Sequence, residues 1–232
     1  MRFDPLYMLM MLPCMALAAF ASWRVKSTFA KYAKVRTHSG YTGARAAQLM
    51  LNRNGVNDVA IERISGFLTD HYDPSKKVLR LSPDVYDGNT LSAIGVACHE
   101  AGHALQHAQA YAPLNLRSAL VPITNLSSNL SVWVFFAGLA LQIKPLLIAG
   151  CALFAVGLLF ALVTLPVEWD ASSRAKRELL TTNIVSPDQA GDAGRVLNAA
   201  FLTYLAAAFS SLLTLLYYLF RAGLIGGGRS RD

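Results

Sequence analysis

The chain has 232 residues, of which 54% are hydrophobic and 15% are charged. Its mean hydropathy of +0.37 excludes an ordinary soluble domain and indicates a membrane protein. The net charge of +7 would suit a nucleic-acid partner, but the basic residues cluster beside apolar segments. We therefore interpret them as anchors for anionic lipid head groups and expect no nucleic-acid function.

Four uncharged segments are each long enough to cross a bilayer as a helix, which takes about 17–25 residues. They comprise residues 5–23, 118–143, 145–167 and 199–220. A cleaved secretory signal is the alternative for the first segment. Pro5 interrupts it early and three more spans follow, which favours an uncleaved anchor. The second segment is the weakest because Pro122 and residues 124–129 are polar. Its fully apolar part begins near Val132, and its first turns are candidates for extending out of the bilayer.

The orientation follows from basic residues after the first and third spans, which share one side of a four-span protein. They comprise Arg24, Lys26, Lys31, Lys34 and Arg36, then Arg174, Lys176 and Arg177. The positive-inside rule places that side, and with it residues 24–117 and 168–198, in the cytoplasm. Arg221 and the two arginines that follow it fit this rule less well.

Residues 24–90 have to provide substrate recognition. A helix is predicted over residues 42–52, with Thr42 as its cap and Gly55 at its end. Residues 59–81 alternate as strands around a predicted turn at 70–77. The candidate strand for pairing with a substrate backbone is Val78, Leu79, Arg80 and Leu81. An internal hairpin that packs on the helices explains the same pattern equally well.

Residues 99–103 read His-Glu-Ala-Gly-His, an H-E-x-x-H pattern. On a helix, His99 and His103 lie on one face and can bind a single ion, with Glu100 beside it. Two neutral imidazoles can hold Zn²⁺ with an open position, where the pKa of a water falls to about 7. Glu100 would accept a proton from that water and pass it to a departing amine. This chemistry is peptide-bond hydrolysis.

A merely polar helix face is the alternative interpretation, since His107 continues the same four-residue spacing. The surrounding residues are mostly apolar, however, and histidines and a carboxylate without partners are costly there. The metal site is therefore the favoured interpretation of the pattern.

A catalytic zinc site needs a third protein ligand if water is to occupy the fourth position. Glu168 is the candidate, because a hairpin of two spans can return it to the motif helix. It fits equally well as an acid at the solvated start of a helix. The competing ligands are His38, His71 and His107. His107 lies too far along the helix, and a lone histidine beside a turn, such as His71, is more often structural.

Five stretches carry a family resemblance. They are residues 23–29 (WRVKSTF), 69–74 (TDHYDP), 81–86 (LSPDVY), the motif helix with its extension Ala104-Leu105-Gln106, and residues 167–172 (VEWDAS). Together they resemble the YugP-type neutral zinc metallopeptidase family. The resemblance implies an integral membrane protease of the bacterial inner membrane, with one Zn²⁺ per chain. It also implies His99 and His103 as metal ligands and Glu100 as catalytic base.

The layout is similar as well to the more distant prenyl-protein and heat-shock membrane peptidases. That similarity implies Glu168 as the third metal ligand. Those relatives usually carry an aspartate four residues later, which orients a metal histidine. Ser172 stands at this position here, and Asp170 is a candidate substitute. The resemblance assigns no role to His71 or Asp73.

We therefore expect a mainly α, integral membrane protein, with four transmembrane helices and a small α+β zinc metallopeptidase domain at the membrane surface. The expected regions are an N-terminal anchor (1–23), a cytoplasm-facing region (24–117), a transmembrane hairpin (118–167), a helix with the third ligand (168–198), a last span (199–220) and a flexible tail (221–232).

The expected function is multi-pass membrane endoproteolysis of membrane or misfolded proteins in quality control. The expected partners are a polypeptide substrate, the lipid bilayer, and either membrane proteins or further copies of the chain. A membrane scaffold or adaptor with a closed, structural zinc site is the alternative. A transporter is disfavoured because no predicted span contains an ionisable residue in its interior.

Overall fold

A computed structural model describes residues 5–226, and residues 1–4 of the predicted anchor and 227–232 of the predicted tail lie outside this range. The described part contains seven helices and three strands. They are α1 (Pro5–Tyr32), α2 (Gly43–Arg53), β1 (Ala60–Arg63), β2 (His71–Asp73), β3 (Val78–Leu81), α3 (Pro83–Tyr86), α4 (Leu91–Ala108), α5 (Ala112–Leu141), α6 (Lys144–Thr181) and α7 (Pro187–Arg221).

Four of the helices, α1, α5, α6 and α7, are long and apolar enough to cross a membrane. The predicted mainly α architecture with four spans is confirmed. Each of these helices is longer than its predicted span. The 38 residues of α6 extend for about 57 Å, well beyond a hydrocarbon core of about 30 Å.

Glu168 lies within α6, which continues through Pro166 to Thr181. The expectation of a separate helix over residues 168–198 is therefore wrong, as is the alternative that Glu168 marks a helix start. Pro166 removes only one backbone donor, and a long helix can accommodate this loss.

The chain divides into two compact units. The membrane unit comprises the described parts of Met1–Phe20, Leu116–Leu165 and Tyr204–Asp232. Its core contains Phe135 and Tyr218, whose rings stack with centroids 3.8 Å apart. A Cβ atom on Gly150 would lie 2.7 Å from Phe135 Cα, so the glycine lets α5 and α6 approach closely.

The site unit comprises Ala21–Asn115 and Pro166–Thr203. Its core includes residues of α2 and α4, among them Met50, Leu51 and Ile94, all fully buried. The predicted helix over 42–52 is confirmed, and the Thr42 hydroxyl caps it by accepting a hydrogen bond from the backbone N–H of Arg45. Thr90 caps α4 in the same way.

The sheet has the order β1-β3-β2, with β1 parallel and β2 antiparallel to β3. Residues 71–73 form a strand, so the tight turn is shorter than the predicted 70–77. Asp73 shapes this turn, because its carboxylate accepts hydrogen bonds from the backbone N–H groups of Ser75 and Lys76.

The central strand is the one predicted to receive substrate, namely Val78, Leu79, Arg80 and Leu81. Its two edges are already paired with β1 and β2, so it has no free backbone edge for β-augmentation. The predicted substrate strand is therefore wrong, and the internal packing that was the alternative is what the structure contains.

Candidate metal centre

The site begins with a close approach of α4 to α6. A Cβ atom on Gly102 would lie 2.6 Å from the backbone oxygen of Ala171, closer than real Cβ contacts. The missing side chain at position 102 therefore allows the two helices to pack at short range. This packing brings the histidines of α4 next to Glu168 of α6.

His99, His103 and Glu168 offer three ligand atoms that all lie within 4.8 Å of one another. Glu168 Oε2 is 3.1 Å from His99 Nε2 and 3.6 Å from His103 Nε2. Glu168 is only 1% exposed. A buried carboxylate facing two imidazoles is the donor set of a His₂Glu zinc site, so these residues fit Zn²⁺ with one position left for water.

The carboxylates of the site have pKa values shifted in opposite directions. Burial alone would raise the pKa of Glu168, but hydrogen bonds with His103 and His99 hold it well below its usual range. The lowered pKa favours the charged form of Glu168, which is suited to bind a cation. Burial raises the pKa of Glu100, which makes this group a better proton acceptor than an ordinary glutamate.

Gln106 orients His103. Its Oε1 lies 3.0 Å from His103 Nδ1, and its Nε2 donates to the backbone oxygen of Val167 and to Asp170 Oδ2, both at 2.8 Å. Because both donors of the amide are used, its oxygen must face the imidazole. Nδ1 of His103 then carries the proton, and Nε2 is left with the lone pair that a metal needs.

Ser172 contacts the other histidine. It follows Glu168 by one turn of α6, and its Oγ lies 3.1 Å from His99 Nδ1. The hydroxyl oxygen can accept the proton of Nδ1, which leaves Nε2 directed at Glu168. Asp170 accepts hydrogen bonds from Gln106 and Arg174 and contacts neither histidine through a hydrogen bond. Its effect on His103 therefore passes through the side-chain amide of Gln106.

Gln106 is the residue that sequence reasoning missed. It was part of the family motif, but no role had been given to it. Its position three residues after His103 on the same helix is the signal that could have identified it, since side chains at this spacing are neighbours.

Glu100 lies beside the edge strand of the sheet. Its Oε2 accepts a hydrogen bond of 3.1 Å from the backbone N–H of Tyr72 in β2. The hydroxyl of Tyr72 lies 2.8 Å from His107 Nδ1. The third histidine of α4 is therefore engaged with Tyr72, one turn beyond the metal ligands.

The remaining candidate ligands lie outside the group. His71 is exposed, and its Nδ1 lies 2.8 Å from the backbone oxygen of Thr69. Asp73 binds Arg80 with a distance of 3.0 Å and supports the turn after β2. His38 lies near Ser186 and Asp188. These contacts are structural in character.

Comparison with known proteins shows the family of the chain. Residues 7–223 match the family described as "Putative neutral zinc metallopeptidase". The chain is also 43% identical over 213 residues to the "Putative membrane protease YugP" of Bacillus subtilis (strain 168), covering 92% of this chain and 95% of that protein. No solved structure matches the chain. The chain therefore belongs to the neutral zinc metallopeptidase family of multi-pass membrane proteins.

Proposed function

We propose that this chain is a zinc-dependent endopeptidase that cleaves membrane or misfolded proteins. The observation that carries the proposal is the convergence of His99, His103 and Glu168 within 4.8 Å. Glu100, next to His99 on the same helix, supplies the base that such a site requires.

A zinc ion held by these three residues would polarise the peptide carbonyl and lower the pKa of a water to about 7. Glu100 would accept a proton from that water, so that the remaining hydroxide can add to the carbonyl carbon, and would donate the proton to the nitrogen as the C–N bond breaks. Burial raises the pKa of Glu100, which suits a group that must both take and return a proton. Gln106 and Ser172 keep the imidazoles in the orientation that the ligand role needs.

We propose that the substrate backbone pairs with β2 instead of β3. The Tyr72 N–H points to Glu100 rather than to β3, so this edge of the sheet is adjacent to the catalytic carboxylate. An extended peptide along β2 would then bring its scissile bond beside Glu100.

The site is proposed to face the cytoplasm from the bacterial inner membrane. The basic residues after the first and third spans support this orientation. Quality control of membrane proteins is the role that such a location suits, by analogy at the level of the fold. The printed name of the relative, "Putative membrane protease YugP", supports proteolytic activity in a membrane protein.

A structural zinc site in a scaffold protein would need a fourth ligand. Asp170 is engaged by Gln106 and Arg174, and His71 is exposed near Thr69. Neither belongs to the group of converging ligands found among residues 5–226. The three-ligand arrangement favours catalysis.

Cleavage of an unfolded polypeptide by the purified protein tests the proposal. Glu100→Gln should retain zinc and lose activity by about 10²- to 10⁴-fold, because the base is removed. Glu168→Ala should lose both zinc and activity. Glu62→Gln, on the exposed strand β1, is the matched control and should change neither. Proteolysis by a zinc-loaded Glu100→Gln variant at the native rate would refute the mechanism.

The orientation is tested separately. Lys76→Cys puts a thiol on the exposed turn of the site unit, whereas the three native cysteines are buried. A membrane-impermeant maleimide should label this variant in inverted membrane vesicles and not in right-side-out vesicles. Labelling only in right-side-out vesicles would reverse the proposed orientation.

A further inference from the structure

One face of α5 carries exposed residues at alternating spacings of three and four. We name this face the α5 seam, and it comprises Pro122, Asn125, Asn129, Val132 and Phe136, all exposed. Residues at this spacing share one helix face and can pack against a second helix at about 20°. A second exposed face of α5 has the same spacing but no amide, and it comprises Ile123, Leu126, Leu130, Trp133 and Ala137. The seam has a side-chain amide at two of its five positions, which is unusual for a surface that faces lipid.

The amides are level with the middle of the uncharged run of α6. A Cβ atom on Gly157 of α6 would lie 3.7 Å from Ser128 Oγ, so these two residues are level with each other. Gly157 is inside the uncharged run 145–167, about 20 Å along α6 from Lys144. Asn125 and Asn129 lie within one helical turn of Ser128. They are therefore far from the head groups at the Lys144 end and level with apolar residues of α6.

The hydrogen bonding of these amides is incomplete. Asn129 Nδ2 donates to the backbone oxygen of Asn125 at 3.0 Å. The Asn125 side chain and the Asn129 Oδ1 have no hydrogen-bond partner among residues 5–226. In hydrocarbon there is no water to bind them, so another polar group at this depth is strongly favoured.

We propose that a second copy of the chain covers the α5 seam and that the two copies form a homodimer through it. A two-fold axis along the bilayer normal would bring each seam residue opposite its own equivalent at the same depth. A carboxamide both donates and accepts, so Asn125 and Asn129 can pair with the same residues of the second copy. Any other membrane helix would need a polar group at this particular depth.

Disulfide cross-linking of the purified full-length protein in lipid vesicles tests the geometry. Val132→Cys lies on the seam, and Leu130→Cys is its matched control at nearly the same depth, roughly 160° around the helix. Their native side chains are 39% and 46% exposed. The native chain is the negative control. Its cysteines, Cys14, Cys98 and Cys151, are buried and should not cross-link.

Under mild oxidation, Val132→Cys should form a species of twice the chain's mass, and Leu130→Cys should form several-fold less of it. Equal cross-linking of the two variants, or none for Val132→Cys, would overturn the proposal. No other protein is present in the vesicles. If a substrate or partner helix covers the seam in cells, Val132→Cys should therefore form no cross-linked dimer here.

A second measurement tests the amides themselves. In the Val132→Cys background, Asn125→Leu and Asn129→Leu should each weaken self-association by about 3- to 30-fold, measured as the dimer fraction across lipid-to-protein ratios. Leu159→Ala, on the exposed surface of α6, is the control and should leave association unchanged. Unchanged dimerisation of the doubly substituted chain would show that the amides do not hold the interface.

Discussion

His103 Nδ1 lies 3.0 Å from Oε1 of Gln106, and both side chains are buried. The amide is itself held by the backbone of Val167 and by Asp170, which belong to α6. The orientation of His103 on α4 is thereby tied to the helix that carries Glu168. A shift of one helix against the other would disturb His99, His103 and Glu168, the three proposed ligands, together.

Gln106→Met should weaken zinc binding by about 10- to 100-fold, because a side chain of similar volume fills the space but no longer accepts the proton of His103 Nδ1. Competition with a chelator of known affinity measures the change. Gln48→Met is the matched control, because Asn52 is the only hydrogen-bond partner of the Gln48 side chain among residues 5–226. Equal zinc affinity of the two variants would contradict the role of Gln106.

Ser172→Ala should also weaken zinc binding, since the Nδ1 proton of His99 loses its acceptor. Ser172→Asp should bind zinc at least as tightly as the native chain, because a carboxylate is a stronger acceptor than a hydroxyl. Ser173→Ala removes the neighbouring hydroxyl, which donates to the backbone of Trp169, and serves as the control. Chelator competition distinguishes the variants. If Ser172→Asp binds zinc more weakly than Ser172→Ala, residue 172 does not act as the acceptor for the Nδ1 proton of His99.

Gly102→Ala should destabilise the site unit by about 1–3 kcal/mol, because its Cβ would lie 2.6 Å from the backbone oxygen of Ala171. The same clash should reduce zinc occupancy by moving α4 away from Glu168. Gly95→Ala is the matched control on the same helix, where the nearest contact would be an ordinary 3.5 Å. This control should stabilise the protein by about 0.5–1 kcal/mol, since alanine favours the helix.

Denaturant unfolding in detergent, with zinc analysis of each sample, measures both glycine variants. The prediction requires opposite signs for the two changes in the free energy of unfolding. If both substitutions lower the free energy of unfolding, the prediction is wrong. The effect would then come from alanine in helix α4 and not from the contact of Gly102 with α6.

Asp73→Asn should lower the stability of the site unit at neutral pH. Hydrogen bonds from Ser75, and then from Arg80, hold the pKa of Asp73 well below its usual range. A carboxylate with a lowered folded-state pKa stabilises the fold fully above its unfolded pKa of about 3.9, and the effect is lost as the pH falls further. The melting-temperature difference between native chain and variant should therefore be constant from about pH 5 to 8 and shrink below about pH 4. A difference that grows on acidification would contradict this assignment.

Local sequence patterns located the long helices but not their ends, since α6 continues to Thr181 beyond its predicted span. Uncharged runs predicted four spans because the length of an apolar segment is a local property. The hydroxyl of Thr42 was recognisable as a cap for the same reason. Strand order was not accessible in this way. β3 lies between β1 and β2 because of pairing between distant segments, and no pattern within residues 78–81 distinguishes a central strand from an edge strand.

By itself, the sequence determined which residues can act together within one helix. His99 and His103 share a face of α4 because the helical repeat requires it, and Glu100 follows from the same motif. Only the tertiary structure decided which side chains of α6 meet that face. The contact at Gly102 sets the distance between the helices, and so it places Glu168, Ser172 and Asp170 where they lie. Contacts of this kind depend on packing between segments far apart in the chain, which local periodicity does not encode.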